Sequence, residues 1–94
     1  MKAIKTARQM EKHVKGIANH HRIAIIFLIA ESSGITLDQI VETLHANDKT
    51  IGEHVRRLAI AGLINKSYRG RNVEHTLSPY GKLFVQFLKS FQKS

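Results

Sequence analysis

Cysteine is absent from this 94-residue chain. That excludes a disulfide framework and any thiolate metal site, and it fits a reducing cytoplasm. Acidic side chains are scarce, 7 against 15 lysines and arginines. Long apolar runs are missing too. The longest, Ile23 to Ala30, is far too short to cross a bilayer. The basic N-terminus has no early apolar core of the kind a signal peptide carries. Catalytic signatures are also lacking. There is no Gly-rich phosphate loop, no GxSxG and no pair of carboxylates near a histidine, so an enzyme is not expected.

What is abundant is positive charge. The formal net charge is +8 and it is segregated. Residues 1–30 hold six basic side chains and one acidic. Residues 31–48 hold four acidic and no basic ones, and residues 49–94 hold nine basic and two acidic. Segregated charge at this level points to a polyanionic partner. The plainer alternative is a cationic surface with no partner. The length suits one domain, residues 1–94, of a size that often gains stability by dimerising.

The periodicity predicts a first helix over residues 3–17. Ala3, Ala7, Met10, Val14 and Ile17 form its apolar stripe, with Lys5, Arg8, Lys12 and Lys15 opposite. The apolar face has no aromatic anchor, so packing against protein is expected rather than membrane contact. Asn19 caps a second, central helix that stops near Gly34. Thr36 and Gln39 form a capping box for a short helix over residues 37–45. Asn47 then caps a helix ending near Ala61, with Gly62 as its left-handed stop. Two amphipathic helices joined by a tight turn make a helix-turn-helix candidate. Leu63 to Tyr68 and Val73 to Leu77 read as the strands of a hairpin around Arg69-Gly70-Arg71-Asn72. Ser78 and Pro79 start a last helix, with Tyr80 to Gln92 as its body. The predicted fold class is mainly α with a small β-hairpin: a winged helix-turn-helix.

Residues 15–78 resemble the ArsR-like winged-helix transcriptional repressors. The pieces that carry the resemblance are "ANHHRIAII", "TLDQIVETL", "TIGEHVRRLAIAGLI" and the hairpin. The "LSPYG" junction resembles MarR-type proteins. The resemblance implies a homodimer on operator DNA, with the first and last helices forming the interface. The residues expected there are Ala3, Ala7, Met10, Val14, Leu83, Phe84, Phe87, Leu88 and Phe91. It also places a structural histidine at His21. Metal-sensing members carry cysteine pairs or Asp, His and Glu sets on the last helix. Neither exists here, so no metal or cofactor is expected. Whether an inducer exists is left open.

On the helix from Asn47 to Ala61, each residue turns about 100°. With Ile51, Val55 and Leu58 inward, Lys49, Gly52, Glu53, Arg56 and Ile60 point outward, flanked by Thr50, His54 and Arg57. A glycine inside a helix costs about 1 kcal/mol relative to alanine. One compensation is close approach of the backbone to a groove or phosphate. Lys49 and Arg56 suit guanine edges or phosphate, and Glu53 suits a cytosine amino group. Arg69 and Arg71 at the hairpin tip suit a minor groove or its phosphates. The expected partner is therefore double-stranded DNA, contacted by Lys49, Thr50, Gly52, Glu53, His54, Arg56, Arg57, Arg69 and Arg71. Two other readings remain: a protein-interaction module, and a non-specific architectural DNA binder.

Overall fold

The structure is a computed structural model and describes residues 3–94. Its first helix, α1 (Ala7–Ile17), is shorter than the apolar stripe suggests. Thr6 intercepts the chain as a cap. Its hydroxyl accepts from the Gln9 amide at 3.2 Å, and the Gln9 side chain accepts from the Thr6 amide at 2.9 Å. Ala3, predicted to be helical, lies before this cap and outside the helix. Hydrophobic periodicity extended the helix one turn too far, and the reciprocal cap sets its true start.

Asn19 caps α2 (His20–Glu31) by accepting from the His21 and Arg22 amides. This helix is the spine of the core. Ile25, Ile26 and Ile29 are fully buried on it, and Ile40, Ile51, Leu58 and Leu63 close around them. Gly34 and Ile35 then lead into β1 (Ile35–Thr36), a two-residue strand that the sequence pattern did not reveal. The predicted two-stranded hairpin is in fact part of a three-stranded antiparallel sheet, in which the second hairpin strand lies between β1 and the first hairpin strand. A strand of two residues is too short for any alternation to register.

Thr36 and Gln39 form the predicted capping box of α3 (Leu37–Leu44). That helix closes on His45 in the left-handed region. Asn47 caps α4 (Asp48–Ile60) by accepting from the Lys49 and Thr50 amides. Gly62 has φ +76°, as its role as a stop requires. The hairpin comprises β2 (Ile64–Arg69) and β3 (Asn72–Leu77). Arg69 pairs with Asn72, so the loop is Gly70-Arg71 alone. Only its first residue has positive φ, +58°, the pattern of a type II′ turn with Gly first. Ser78 caps α5 (Pro79–Gln92), with Pro79 at its start.

Candidate nucleic-acid interface

The alternation of β2 decides which side chains face α4. Ile64, Lys66 and Tyr68 pair with Leu77, His75 and Val73, so these six share one face of the sheet. That face, the start of α3 and the side of α4 that carries Gly52 line a groove of about 260 Å3. Gly52 and Val55 lie on one wall, and Lys66, Tyr68 and Arg71 on the other. A Cβ built on Gly52 would meet nothing within 4 Å. The glycine therefore opens the groove and is not demanded by packing inside the fold.

Lys49, Thr50, Arg56 and Arg57 are exposed on α4 as expected. Three of the other expected residues have partners within the chain. Glu53 is engaged within its own helix. Its carboxylate accepts from Arg56 at 2.6 and 2.9 Å and from Arg57 at 3.2 Å. The hydrogen bond from Arg56 is the main cause that lowers the Glu53 pKa to about 2, and the same bond raises that of Arg56. The side chains at spacings i+3 and i+4 satisfy each other before any base arrives. His54 turns inward: its Nδ1 lies 3.1 Å from an Arg22 guanidinium nitrogen, and its ring stacks 5.2 Å from that of His21. Arg69 lies on the opposite sheet face from the groove, 3.7 Å from Glu74. Arg71, in the loop, does line the groove.

Lys66 and Tyr68 were not singled out in the sequence, yet Tyr68 is 76% exposed beside Gly52. Their shared parity with the buried Ile64 is the signal that identifies them. His75 faces the same way and is buried, with Nδ1 2.9 Å from the Ile35 carbonyl. In the tautomer that donates from Nδ1, it ties β3 to β1. Among the described residues, no three His, Cys, Asp or Glu side chains are grouped to hold a metal.

No family model matches the chain and no curated protein matches it in sequence. Solved structures do. HlyU from Vibrio cholerae N16961 superposes with a TM-score of 0.85 at 19% identity, covering 98% of this chain and 100% of its own. The chain has the winged helix-turn-helix fold. Fragment 1–100 of Mb0332 from Mycobacterium bovis, solved as a homodimeric winged helix-turn-helix DNA-binding domain, gives 0.82 at 19% identity over 98% of this chain and 92% of that one. The transcriptional repressor PagR of Bacillus anthracis gives 0.78 at 15% identity over 86% and 93%. In winged-helix terms, α3 and α4 are the helix-turn-helix and β2–β3 is the wing.

Two histidines make stability depend on pH. Burial lowers the pKa of His75, and burial followed by the Arg22 charge lowers that of His54. A neutral imidazole favoured by the fold gives stability that is present above the unfolded pKa of about 6.5 and is lost as pH falls through the lower folded value. Urea unfolding should therefore give constant stability from about pH 8 to 7 and a decline toward pH 5.5. His54→Gln with His75→Gln should flatten that decline. A profile of the unmodified chain that is level down to pH 5.5 would contradict the assignment.

Proposed function

We propose that this chain is a sequence-specific regulator of transcription that binds double-stranded DNA as a homodimer, through α4 and the wing. The observation that carries the reading is the groove. One wall is a turn of helix without a side chain at Gly52, the other bears Lys66 and Arg71, and Lys49 lies exposed on the same helix. A glycine in the middle of a helix has a cost. Close approach to a sugar-phosphate strand explains why that cost is carried. The solved relatives, described as a DNA-binding domain and a repressor, support the same reading. Repression by occupying a site polymerase needs requires no chemistry from the protein, and a cytoplasmic location is part of this reading.

Dimerisation rests on exposed apolar surface. Leu83, Phe87 and Phe91 are 61, 62 and 65% exposed on α5, and Met10 and Val14 are half exposed on α1. Phe84 and Leu88, grouped with them in the sequence, pack partly against the chain's own core. The proposed interface therefore centres on Leu83, Phe87 and Phe91, with Ala7, Met10 and Val14 alongside. The unmodified chain should sediment as a dimer at about 10 µM, because an interface of ordinary size holds near micromolar or tighter. Phe87→Glu should produce monomers with weakened DNA binding. A monomeric unmodified chain at that concentration would remove the dimer from the account.

The DNA reading is tested by selecting genomic fragments on the immobilised chain, then comparing the selected duplex with random duplex at several salt concentrations. Gly52→Gln should add about 0.5–1 kcal/mol of helix propensity and raise or preserve the melting temperature. It should nevertheless weaken DNA binding by about tenfold or more, near 1.4 kcal/mol. Arg71→Ala should weaken both duplexes alike and lower the salt slope by about 0.9 per subunit, as loss of a phosphate contact does. A protein-interaction module would show neither salt dependence nor a specificity ratio, and an architectural binder only the first. Normal binding by Gly52→Gln would remove the groove as the contact surface.

A further inference from the structure

A second basic surface lies on the other side of α4. Lys12 and Lys15 of α1 and Arg56 and Arg57 of α4 line a cleft of about 300 Å3, together with Gly16, Ile60, Ala61 and the buried Arg22. The cleft exists because α1 lies directly on the end of α4. A Cβ at Gly16 would collide with that of Ala61, so only glycine permits this approach.

Its charge is not balanced from within. Glu11 pairs with Lys15 at 3.5 Å, and Glu53 with Arg56 and Arg57. Arg22, only 9% exposed, has no carboxylate among its partners. Its guanidinium donates to the Gly16 carbonyl at 2.7 Å and the Lys15 carbonyl at 3.5 Å, and lies 3.1 Å from His54 Nδ1. These bonds orient the group but supply no negative charge. A buried cation facing further cations is costly unless an anion completes the set. The cleft is small and open, at the lower edge of the range for enclosed small-molecule sites and roomy enough for a phosphate group.

Its position suggests whose phosphate. Lys49, Glu53, Arg56 and Ile60 follow one another at helical spacing on α4, so the cleft continues the outward stripe of α4 toward its C-terminal end. We infer that this cleft is a second phosphate site, which takes the sugar-phosphate backbone of the same duplex through Lys12, Lys15 and Arg57, with Arg22 holding its inner wall. The inference rests on the DNA-binding reading above and extends the footprint beyond α4 and the wing. Lysine acts there as a mobile point charge, a contact that fixes register on the duplex without reading sequence.

The test uses the full chain on random and selected duplexes across a salt series. Lys12→Gln with Lys15→Gln removes two exposed charges. The salt slope should fall by about 1.8 per subunit, with the ratio of selected to random affinity kept within about twofold. Lys82→Gln with Lys93→Gln removes the same net charge elsewhere and should leave the slope within about 0.5 of the original. Equal effects from the two pairs, or no effect from Lys12→Gln with Lys15→Gln in a chain that binds DNA normally, would overturn the second site and leave the function intact. An unmodified chain that does not bind duplex would overturn both. Inorganic pyrophosphate titrated against the Gly16 and Ala61 amide signals gives a separate arm. Saturable shifts there without a change in DNA slope would mean that the cleft takes a free phosphate ligand, contradicting the inference.

Discussion

Three successive carbonyls just past the end of α4, those of Ala61, Gly62 and Leu63, tie the elements of the fold together. The Ala61 carbonyl lies 2.6 Å from His13 Nδ1 on α1. The Gly62 carbonyl accepts from the Ser78 hydroxyl at 2.6 Å, and the Leu63 carbonyl accepts from the Ser78 amide at 3.1 Å. Ser78 also caps α5, accepting from the Gly81 amide at 3.0 Å. Buried backbone carbonyls need partners. Here they are satisfied by two other helices, so α1, α4, β2 and α5 meet at one point. Gly16 and Gly81 make that meeting possible. A Cβ at either would run into Ala61 or the Leu63 backbone. The angle between α4 and the wing, and the distance between α4 and α1, both follow from this junction.

Each of those two spacings sets a basic surface. On one side the wing stands off α4 far enough to leave the Gly52 groove open, with Lys66 and Arg71 across from it. On the other, α1 lies close enough to bring Lys12 and Lys15 opposite Arg56 and Arg57. Glu53 lies between the two and holds both arginines of α4. Exposed ion pairs of this kind contribute about 0–1 kcal/mol. A phosphate can therefore draw Arg57 away at little cost, while Glu53 keeps the side chains ordered in the free protein. The acidic residues 31, 38, 42 and 48 are exposed, and Asp38 and Asp48 lie in the first turns of α3 and α4, where they complement the positive helix ends.

Most of the architecture was legible in local signals. The Thr36–Gln39 capping box, the Asn19 and Asn47 caps, the Gly62 stop and the Ser78-Pro79 start each fixed a boundary within about a residue or two. The Thr6–Gln9 box carried the same signature and was overridden by the apolar stripe continuing to Ala3. What was not legible depended on tertiary partners. His54 lies at the edge of the outward face by helical angle alone, and only the arrival of α2 with Arg22 turns it inward. Arg69 and Arg71 look equivalent in the sequence. The two-residue loop separates them, placing one on the Glu74 face and the other at the groove. Lys66 and Tyr68 were readable in principle, since they share the parity of the buried Ile64, but that needed the strand register.

The central claim is that duplex DNA seats in the groove between α4 and the wing. Amide-resolved NMR on the full chain, titrated with a duplex at about 0.15 M salt, tests it most directly. The account predicts that the first signals to shift or broaden are those of Lys49 to Glu53 on α4 and of Lys66 to Arg71 on the wing, with the Phe87 to Phe91 segment of α5 unchanged. Perturbations confined to α5, or none at all along α4 and the wing, would contradict it.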